Sequence, residues 1–475
     1  MKILFVASEA VPFIKSGGLG DVIGSLPKAL KSKCEDIRVV IPYYSQIGKN
    51  REDIVFKKYF FVNHGHRRSY VGVFEADVDG VTYYLIDNEE FFNRSNLYGE
   101  FDDGERFSYF SKAIIDLLPE IDYKPDIINA NDWHTSLVPV YLDLYKKNGV
   151  QFYQEIKSVI SIHNIEFQGK FSKDILGPIF GLDNSYLNIL MFGDCLNLLK
   201  AAIQTSNLVT TVSETYADEI LTPYFSYGLD EILRIEKHKI IGVLNGIDTK
   251  LFNPYKDSII YQNYNTNSIN KKVLNKVKLQ EELNLEVDEN IPMIGMIGRI
   301  THQKGMELLL EVFDKIMLNN LQLVIIGSGD KYFENRLREK QHIYRDKFRL
   351  NILFSNELAQ KLYAASDMFL MPSKSEPCGL AQMIAMRYGS VPIVHSVGGL
   401  KDTVKAYNRD IKEGEGFTFQ SFNSYDMLDA INRAIGLYND KKEWKIIGKN
   451  GMKKDFSWKK SSEKYLEIYK KLFNY

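Results

Sequence analysis

The chain has 475 residues, 45% apolar and 25% charged, an ordinary globular balance but too long for a single core, so two or three domains are expected. Lysine and arginine number 60 against 61 aspartates and glutamates, a formal charge of −1. That balance disfavours the broad basic face of a nucleic-acid binder, and any phosphate is expected to be met by a few local cations.

From the N terminus, "MKILFVASEAVPFIKSGG" carries an apolar run much too short to span a bilayer and no small-residue cleavage pattern, so it reads as a first buried strand. The loop "KSGGLGD" then places Lys15, three glycines and Asp21 between strand and helix. Glycine lets a ligand approach the backbone, and a helix start exposes amides with partial positive charge. Lys15 and the glycine amides are therefore expected to face an anion, with a purely structural turn as the competing reading. The spacing does not fit G-x-G-x-x-G, so a dinucleotide fingerprint fails.

Further short apolar runs follow: "IRVVIP", "VTYYLID", "DIINAN", "SVISIHN" and "LVTTVS", then "IPMIGMIG", "LQLVIIGSG", "LNILF", "MFLMPS" and "VPIVHS". Their continuous apolarity predicts strands buried on both faces, as in parallel sheets. Between them lie helical patterns; "KGMELLLEVFDKIM" sets Met306, Leu309, Leu310, Phe313 and Met317 on one face. Strand–helix alternation predicts doubly wound α/β units with ligands beyond the carboxyl ends of the strands. The seam is expected near "GVLNGIDTKLFNP", where Asn-Gly and Asn-Pro turns follow a strand, and the polar "YQNYNTNSINKK" reads as an exposed connection. The last segment, "FSWKKSSEKYLEIYKKLFNY", predicts an amphipathic helix with Trp458, Tyr465, Ile468 and Leu472 for burial, packed rather than lying on a membrane. Cys34, Cys195 and Cys378 have no paired or metal-like spacing, which reads as reduced and cytoplasmic.

Two stretches of the second half carry chemistry. "MIGRITHQKG" sets Arg299 and Lys304 just beyond a strand, a fork and a point charge able to neutralise a departing diphosphate, and no carboxylate cluster suited to magnesium accompanies them. A pair of solvated surface charges is the alternative. "PSKSEPCGLAQMIAMRYG" places Glu376 before a proline and Cys378-Gly379-Leu380, at the opening of a helix. A carboxylate there accepts sugar hydroxyls while the Gly379 and Leu380 amides point at phosphate; a buried capping carboxylate is the rival reading. "VGGLKDTV" adds glycine backbone to the same rim.

Taken in order, "KSGGLGDVIGSLP", "NDWHTSL", "SIHNIEFQG", "TTVSETYADEI", "LNGIDTKLFNP", "GRITHQKG", "SEPCGLAQM" and "GGLKDTV" resemble bacterial glycogen synthases and plant starch synthases over essentially the whole chain. The resemblance implies an α/β fold of two Rossmann-like, doubly wound parallel-sheet domains facing a deep cleft, the GT-B arrangement. They would span 1–245 and 246–456, with the terminal helix 457–475 packing back on the first. It implies a hexosyltransferase that moves glucose from ADP-glucose to the non-reducing end of an α-1,4-glucan with retention. Its partners would be that donor and the glucan, with neither nucleic acid nor membrane, no metal and no resident cofactor; oligomeric state is left open.

Residue by residue, Lys15 resembles the family's lysine at the donor nucleotide, Gly18 would lend its amide to the phosphates, and Asp21 would sit at the sugar end of that loop. Asp132 resembles an aspartate lining the reaction centre, whereas Trp133 and His134 are read as packing and capping. His163 resembles the histidine at the donor glucose, Asn164 is its neighbour, and Asn245 would reach the same sugar. Arg299 and Lys304 match the pair gripping the pyrophosphate. Glu376 and Gly379 match the residues holding the glucose hydroxyls, flanked by Cys378 and Leu380. Where the family commonly has tyrosine against adenine, this chain has Phe354, which keeps the ring and loses the hydroxyl. Tyr98, in wording that departs from the family, is expected to meet a sugar. Related sugar transferases carry a second glutamate eight positions after the first; Ile384 stands there, as in glycogen synthases.

With no carboxylate identifiable as a nucleophile, same-face attack is preferred over double displacement. The rivals are a pyridoxal-dependent glycan phosphorylase and a non-catalytic glucan binder using some of the 29 tyrosines and 28 phenylalanines. The residues alone do not choose between ADP- and UDP-glucose.

Overall fold

The uninterrupted apolar runs are interior strands. Lys2–Val6 lies between Ile127–Asn131 and Asp36–Pro42, parallel to both, with Ile3 to Val6 wholly buried. The computed structural model, which describes residues 1–48, 51–353 and 355–473, divides into two units: Met1–Asn245 with Trp458–Tyr475, and Gly246–Ser457.

In the first unit a nine-stranded sheet runs, in spatial order, Ile240–Gly242, Leu208–Thr211, Lys157–Ile162, Ile127–Asn131, Lys2–Val6, Asp36–Pro42, Val81–Asp87, Arg67–Val78 and Val55–His64. The first seven are parallel, and the last two form an antiparallel hairpin added at one edge. This hairpin is an addition to the all-parallel expectation. Its strands alternate: Phe60, Val62 and Val71 point into the core while Tyr59, Phe61 and Tyr70 face solvent, so it lacks the continuous apolar signature of a two-sided strand. A small antiparallel sheet of Lys170–Ser172, Cys195–Asn197 and Met191–Phe192 also went without a signal.

The second unit carries a six-stranded, wholly parallel sheet in the order Phe348–Asn351, Gln322–Ile326, Met293–Ile297, Met368–Met371, Val391–His395, Phe417–Phe419. The helix Met306–Met317 buries Met306, Leu309, Phe313 and Met317 against it, and Leu310 stays partly exposed. The stretch "YQNYNTNSINKK" is not the exposed connection expected. Tyr264 is buried and donates its hydroxyl to the Tyr388 carbonyl at 2.7 Å, and Asn265 with Ser268 forms a capping box. The terminal helix Trp458–Lys471 packs on Gly18–Lys31 within the first unit, burying Trp458, Tyr465, Ile468 and Tyr469, with Leu472 partly exposed.

In both sheets the strand order reverses at one place, and loops leaving there diverge to open a crevice. In the first unit it lies between Lys2–Val6 and Ile127–Asn131, whose exits carry Glu9 and Asp132; in the second it lies between Met293–Ile297 and Met368–Met371, whose exits carry Lys304 and Glu376.

The strand-exit loops of the second unit tolerate no side chain where backbones touch. A Cβ on Gly327 (φ 156°) would stand 1.8 Å from the Gly298 carbonyl oxygen, whereas one on Gly436, exposed in the helix Ser424–Tyr438, would meet nothing within 4 Å. Gly327→Ala should therefore destabilise this unit by roughly 3 kcal/mol, and Gly436→Ala should stabilise it by about 0.5–1 kcal/mol. Thermal unfolding of the two variants should shift in opposite directions.

Candidate active site

The loop after the first strand is organised by a carboxylate. Glu9, 1% exposed, accepts from the Ser16 amide (2.6 Å), the Ser16 hydroxyl (2.7 Å) and the Gly20 amide (3.0 Å). It thereby caps the helix Gly18–Lys31, whose own N-cap, Gly17, has no side chain to do so. Gly20 has to be glycine, since a Cβ would lie 2.6 Å from that of Lys15. Lys15 does not stand alone towards an anion: its Nζ meets Asp21 Oδ1 at 3.0 Å, with both side chains more than a third exposed. An exposed pair of this kind holds by at most about 1 kcal/mol, so Lys15 is not committed to Asp21.

Asp132 closes the strand Ile127–Asn131 with φ 57° and ψ −178°, a conformation normally left to glycine and costing about 1–3 kcal/mol elsewhere. The surroundings over-determine it. Its amide donates to the Ser161 carbonyl at 2.9 Å, and its carboxylate accepts from the His163 amide at 2.7 Å and from the Asn164 amide. Burial pushes the carboxyl up to about 7, against the lowering effect of those two amides. Burial also lowers His163 to about 4, so the ring is neutral at neutral pH; its Nε2 lies 2.9 Å from Asn131 Oδ1. Asn164 Oδ1 accepts from the Glu166 amide and shapes the turn.

Trp133 and His134 are packing, as expected. The His134 ring lies between Trp133 and Tyr98, with centroids at 4.1 and 4.2 Å, and burial beside Arg106 lowers it to about 3. Tyr98 in turn shares a 2.9 Å hydrogen bond with the Ser8 hydroxyl next to the opening loop. Asn245 is buried at the end of its unit, and its Oδ1 has no partner among the described residues.

In the second unit Lys304 ends the short turn His302–Lys304, followed by Gly305 at φ 74°. A Cβ there would lie 2.1 Å from the Pro372 carbonyl oxygen, and this close approach sets Lys304 against the loop after Met368–Met371. Lys304 Nζ donates to Glu376 Oε2 at 2.5 Å, and the Ser373 hydroxyl donates to the same oxygen at 2.8 Å. Glu376 is 6% exposed, and its Oε1 takes no partner among the described residues. "VGGL" does more than line a rim: Cβ atoms on Gly398 and Gly399 would lie 2.1 and 2.0 Å from the Glu376 and Cys378 carbonyl oxygens, and the Gly399 amide donates to the Glu376 carbonyl. Gly379 sits at φ 71°, and the Gln382 amide nitrogen donates to the Cys378 and Gly379 carbonyls.

A cavity of about 70 Å³ opens here, lined by Gly298, Lys304, Ser373, Glu376, Gly379 and Leu380 among others. Cys378 is buried and is not among its lining residues. Arg299 is solvent-exposed, reaches Gln303 at 3.4 Å and does not line the cavity. Phe354 lies outside the described residues. Glu9, Asn131 and Ser373 drew no attention in the sequence; a polar side chain at or just past the end of an apolar run was the available signal. Chemically, the arrangement puts a carboxylate able to accept hydroxyls beside a cation able to meet an anion.

A family model described as starch synthase catalytic domain matches residues 2–235, and one described as glycosyl transferases group 1 matches residues 276–453. The chain is 50% identical over 475 residues to glycogen synthase of Clostridium botulinum (strain Eklund 17B / Type B), covering 99% of each. It is 48% identical over 479 residues to glycogen synthase of Streptococcus mutans serotype c, covering 99% of this chain and 100% of that protein. Among solved structures it resembles the catalytic domain of Starch Synthase IV from Arabidopsis thaliana bound to ADP and acarbose, with TM-score 0.92, 35% identity and coverage of 100% and 99%.

The raised carboxyl of Asp132 has a thermodynamic signature. Between pH 4 and 7 the folded chain keeps a proton that the unfolded chain releases, so this residue costs more stability as pH rises through that window. Asn at this position keeps the acceptor and removes the titration. The melting temperature of Asp132→Asn should sit near the parent's at pH 5 and climb above it by pH 7.5, as scanning calorimetry will show.

Proposed function

Because the chain belongs to the glycogen synthase and starch synthase family of glycosyltransferases, we propose that it lengthens an α-1,4-glucan, moving glucose from ADP-glucose to the non-reducing end with retention and releasing ADP. The observation that carries this reading is the convergence of Lys304 and Ser373 on one oxygen of the nearly sealed Glu376, at the strand-order reversal of the second unit. The Arabidopsis starch synthase captured with ADP supports adenine as the base.

In this reading Glu376 accepts donor hydroxyls through its unengaged Oε1, and Lys304 turns from Glu376 to the diphosphate. Negative charge grows on the bridging oxygen as the anomeric bond breaks, so a cation fixed beside it stabilises the transition state more than the bound substrate. Arg299, exposed and weakly held, is free to reach the same anion with its planar fork. The chain's own cations thus take the charge, without a resident cofactor. Asp132, whose Oδ1 is committed to the His163 amide, acts by holding that backbone rather than as a nucleophile. The acceptor hydroxyl attacks the anomeric carbon from the face the phosphate leaves: the new C–O bond forms as the old one breaks, and its proton passes to the departing phosphate oxygen. A trapped glucosyl ester on any aspartate or glutamate would contradict that step.

The test is to mix the protein with ADP-glucose or UDP-glucose and glycogen, following released nucleotide and chain growth. ADP-glucose should be the better donor. Lys304→Ala and Glu376→Ala should each lower kcat by about a hundredfold or more with the fold retained by circular dichroism. Near-normal rates in both single variants would reject the assignment.

A further inference from the structure

The polar side chains beneath His163 form a directional chain that ends on the terminal helix. Tyr469, wholly buried, accepts from Asn129 Nδ2 at 3.0 Å. Asn129 Oδ1 accepts from the Ser161 hydroxyl and from Asn131 Nδ2, both at 3.1 Å. Asn131 Nδ2 also donates to the Val6 carbonyl at 3.0 Å and the Asn129 carbonyl at 3.1 Å. Backbone carbonyls only accept, so the Asn131 amide cannot be reversed, and its oxygen has to be the atom facing His163 Nε2 at 2.9 Å. An amide oxygen likewise only accepts, which places a proton on Nε2. In a neutral imidazole the other nitrogen then carries a lone pair. Nδ1 takes no partner among the described residues and is not sealed from solvent.

We infer that Asn131 is a positioning residue: it locks His163 as the Nε2–H tautomer, so that Nδ1 presents an acceptor and selects a donor-sugar hydroxyl that gives its hydrogen to the ring. The selection, though not the tautomer, rests on the reading that His163 faces the transferred glucose. Asn129 and Tyr469 support the lock from behind, Tyr469 by giving the Asn129 amide nitrogen its acceptor. A protein built instead to donate from Nδ1 would need a hydrogen-bond donor facing Nε2, and Asn131 Nδ2, held by three carbonyl-type oxygens, does not turn there.

Two measurements decide it. Long-range proton–nitrogen correlation on protein labelled with nitrogen-15 histidine, at pH 7.5, should show His163 protonated on Nε2 in the parent and mixed tautomers in Asn131→Ala. A proton on Nδ1 in the parent, or an unchanged Nε2–H form in folded Asn131→Ala, would overturn the inference. The parent spectrum needs no variant to fold and no turnover. Separately, glucosyl-ADP analogues bearing hydrogen or fluorine in place of each single hydroxyl are compared in the parent and His163→Ala. Fluorine accepts weakly and never donates. At one position both analogues should lose about 10- to 100-fold in kcat/KM with the parent, and His163→Ala should erase that loss. Recovery of activity by the fluoro analogue at the His163-dependent position would overturn the selection. Absence of turnover with glucosyl-ADP itself would instead count against the proposed function and leave the tautomer to the spectrum.

Discussion

A carboxylate withdrawn from water has to be met by donors, and the loops at the strand exits are arranged around that constraint. Glu376 is satisfied by Lys304 and Ser373, and the backbone bends to bring them in: Gly305 is left-handed against Pro372, and Gly398 and Gly399 press on the carbonyls of the Glu376 turn. Glu9 does the same for the opening loop with the Ser16 and Gly20 amides, and Asp132 for the next exit with the amides of His163 and Asn164. Each carboxylate replaces lost hydration with fixed donors, and each lies where the strand order opens a crevice.

The three differ in what they leave over. Glu9 uses both oxygens on its own loop and is architectural. Asp132 accepts from two backbone amides and is held in a strained backbone with a raised carboxyl, the mark of a position kept for a reason other than stability. Glu376 engages the Lys304 cation through Oε2 and keeps Oε1 open. Pairs of this kind add little net stability, because desolvation offsets their attraction. In the proposed function their value is exchange: a half-buried lysine already aligned passes to a phosphate at small reorganisation cost.

Much of the fold was legible because burial on both faces leaves an unbroken apolar run, and Lys2–Val6, Gln322–Ile326 and Val391–His395 show it plainly. The edge hairpin was not, because one of its faces meets water and its aromatic residues alternate in and out. Nor was the anchoring of Tyr264 under Tyr388, a contact across 124 positions that composition cannot reveal. At the site, glycine-rich loops after strands announced where backbone and ligand come close. They did not announce partners. Lys304 and Glu376 are 72 residues apart, and Lys15 was expected to face an anion without its clasp on Asp21. Asn131 looked like the last residue of a strand; only three acceptors converging on its nitrogen distinguish it.

The central claim is that Lys304 exchanges Glu376 for the diphosphate of the donor. Calorimetric titration of the parent and of Lys304→Met with ADP and with AMP tests it most directly, because the two ligands differ only in the second phosphate. The account predicts that the parent binds ADP about ten times more tightly than AMP or better, and that Lys304→Met loses most of that margin while its AMP affinity changes little. An ADP-over-AMP preference left intact in Lys304→Met would contradict it.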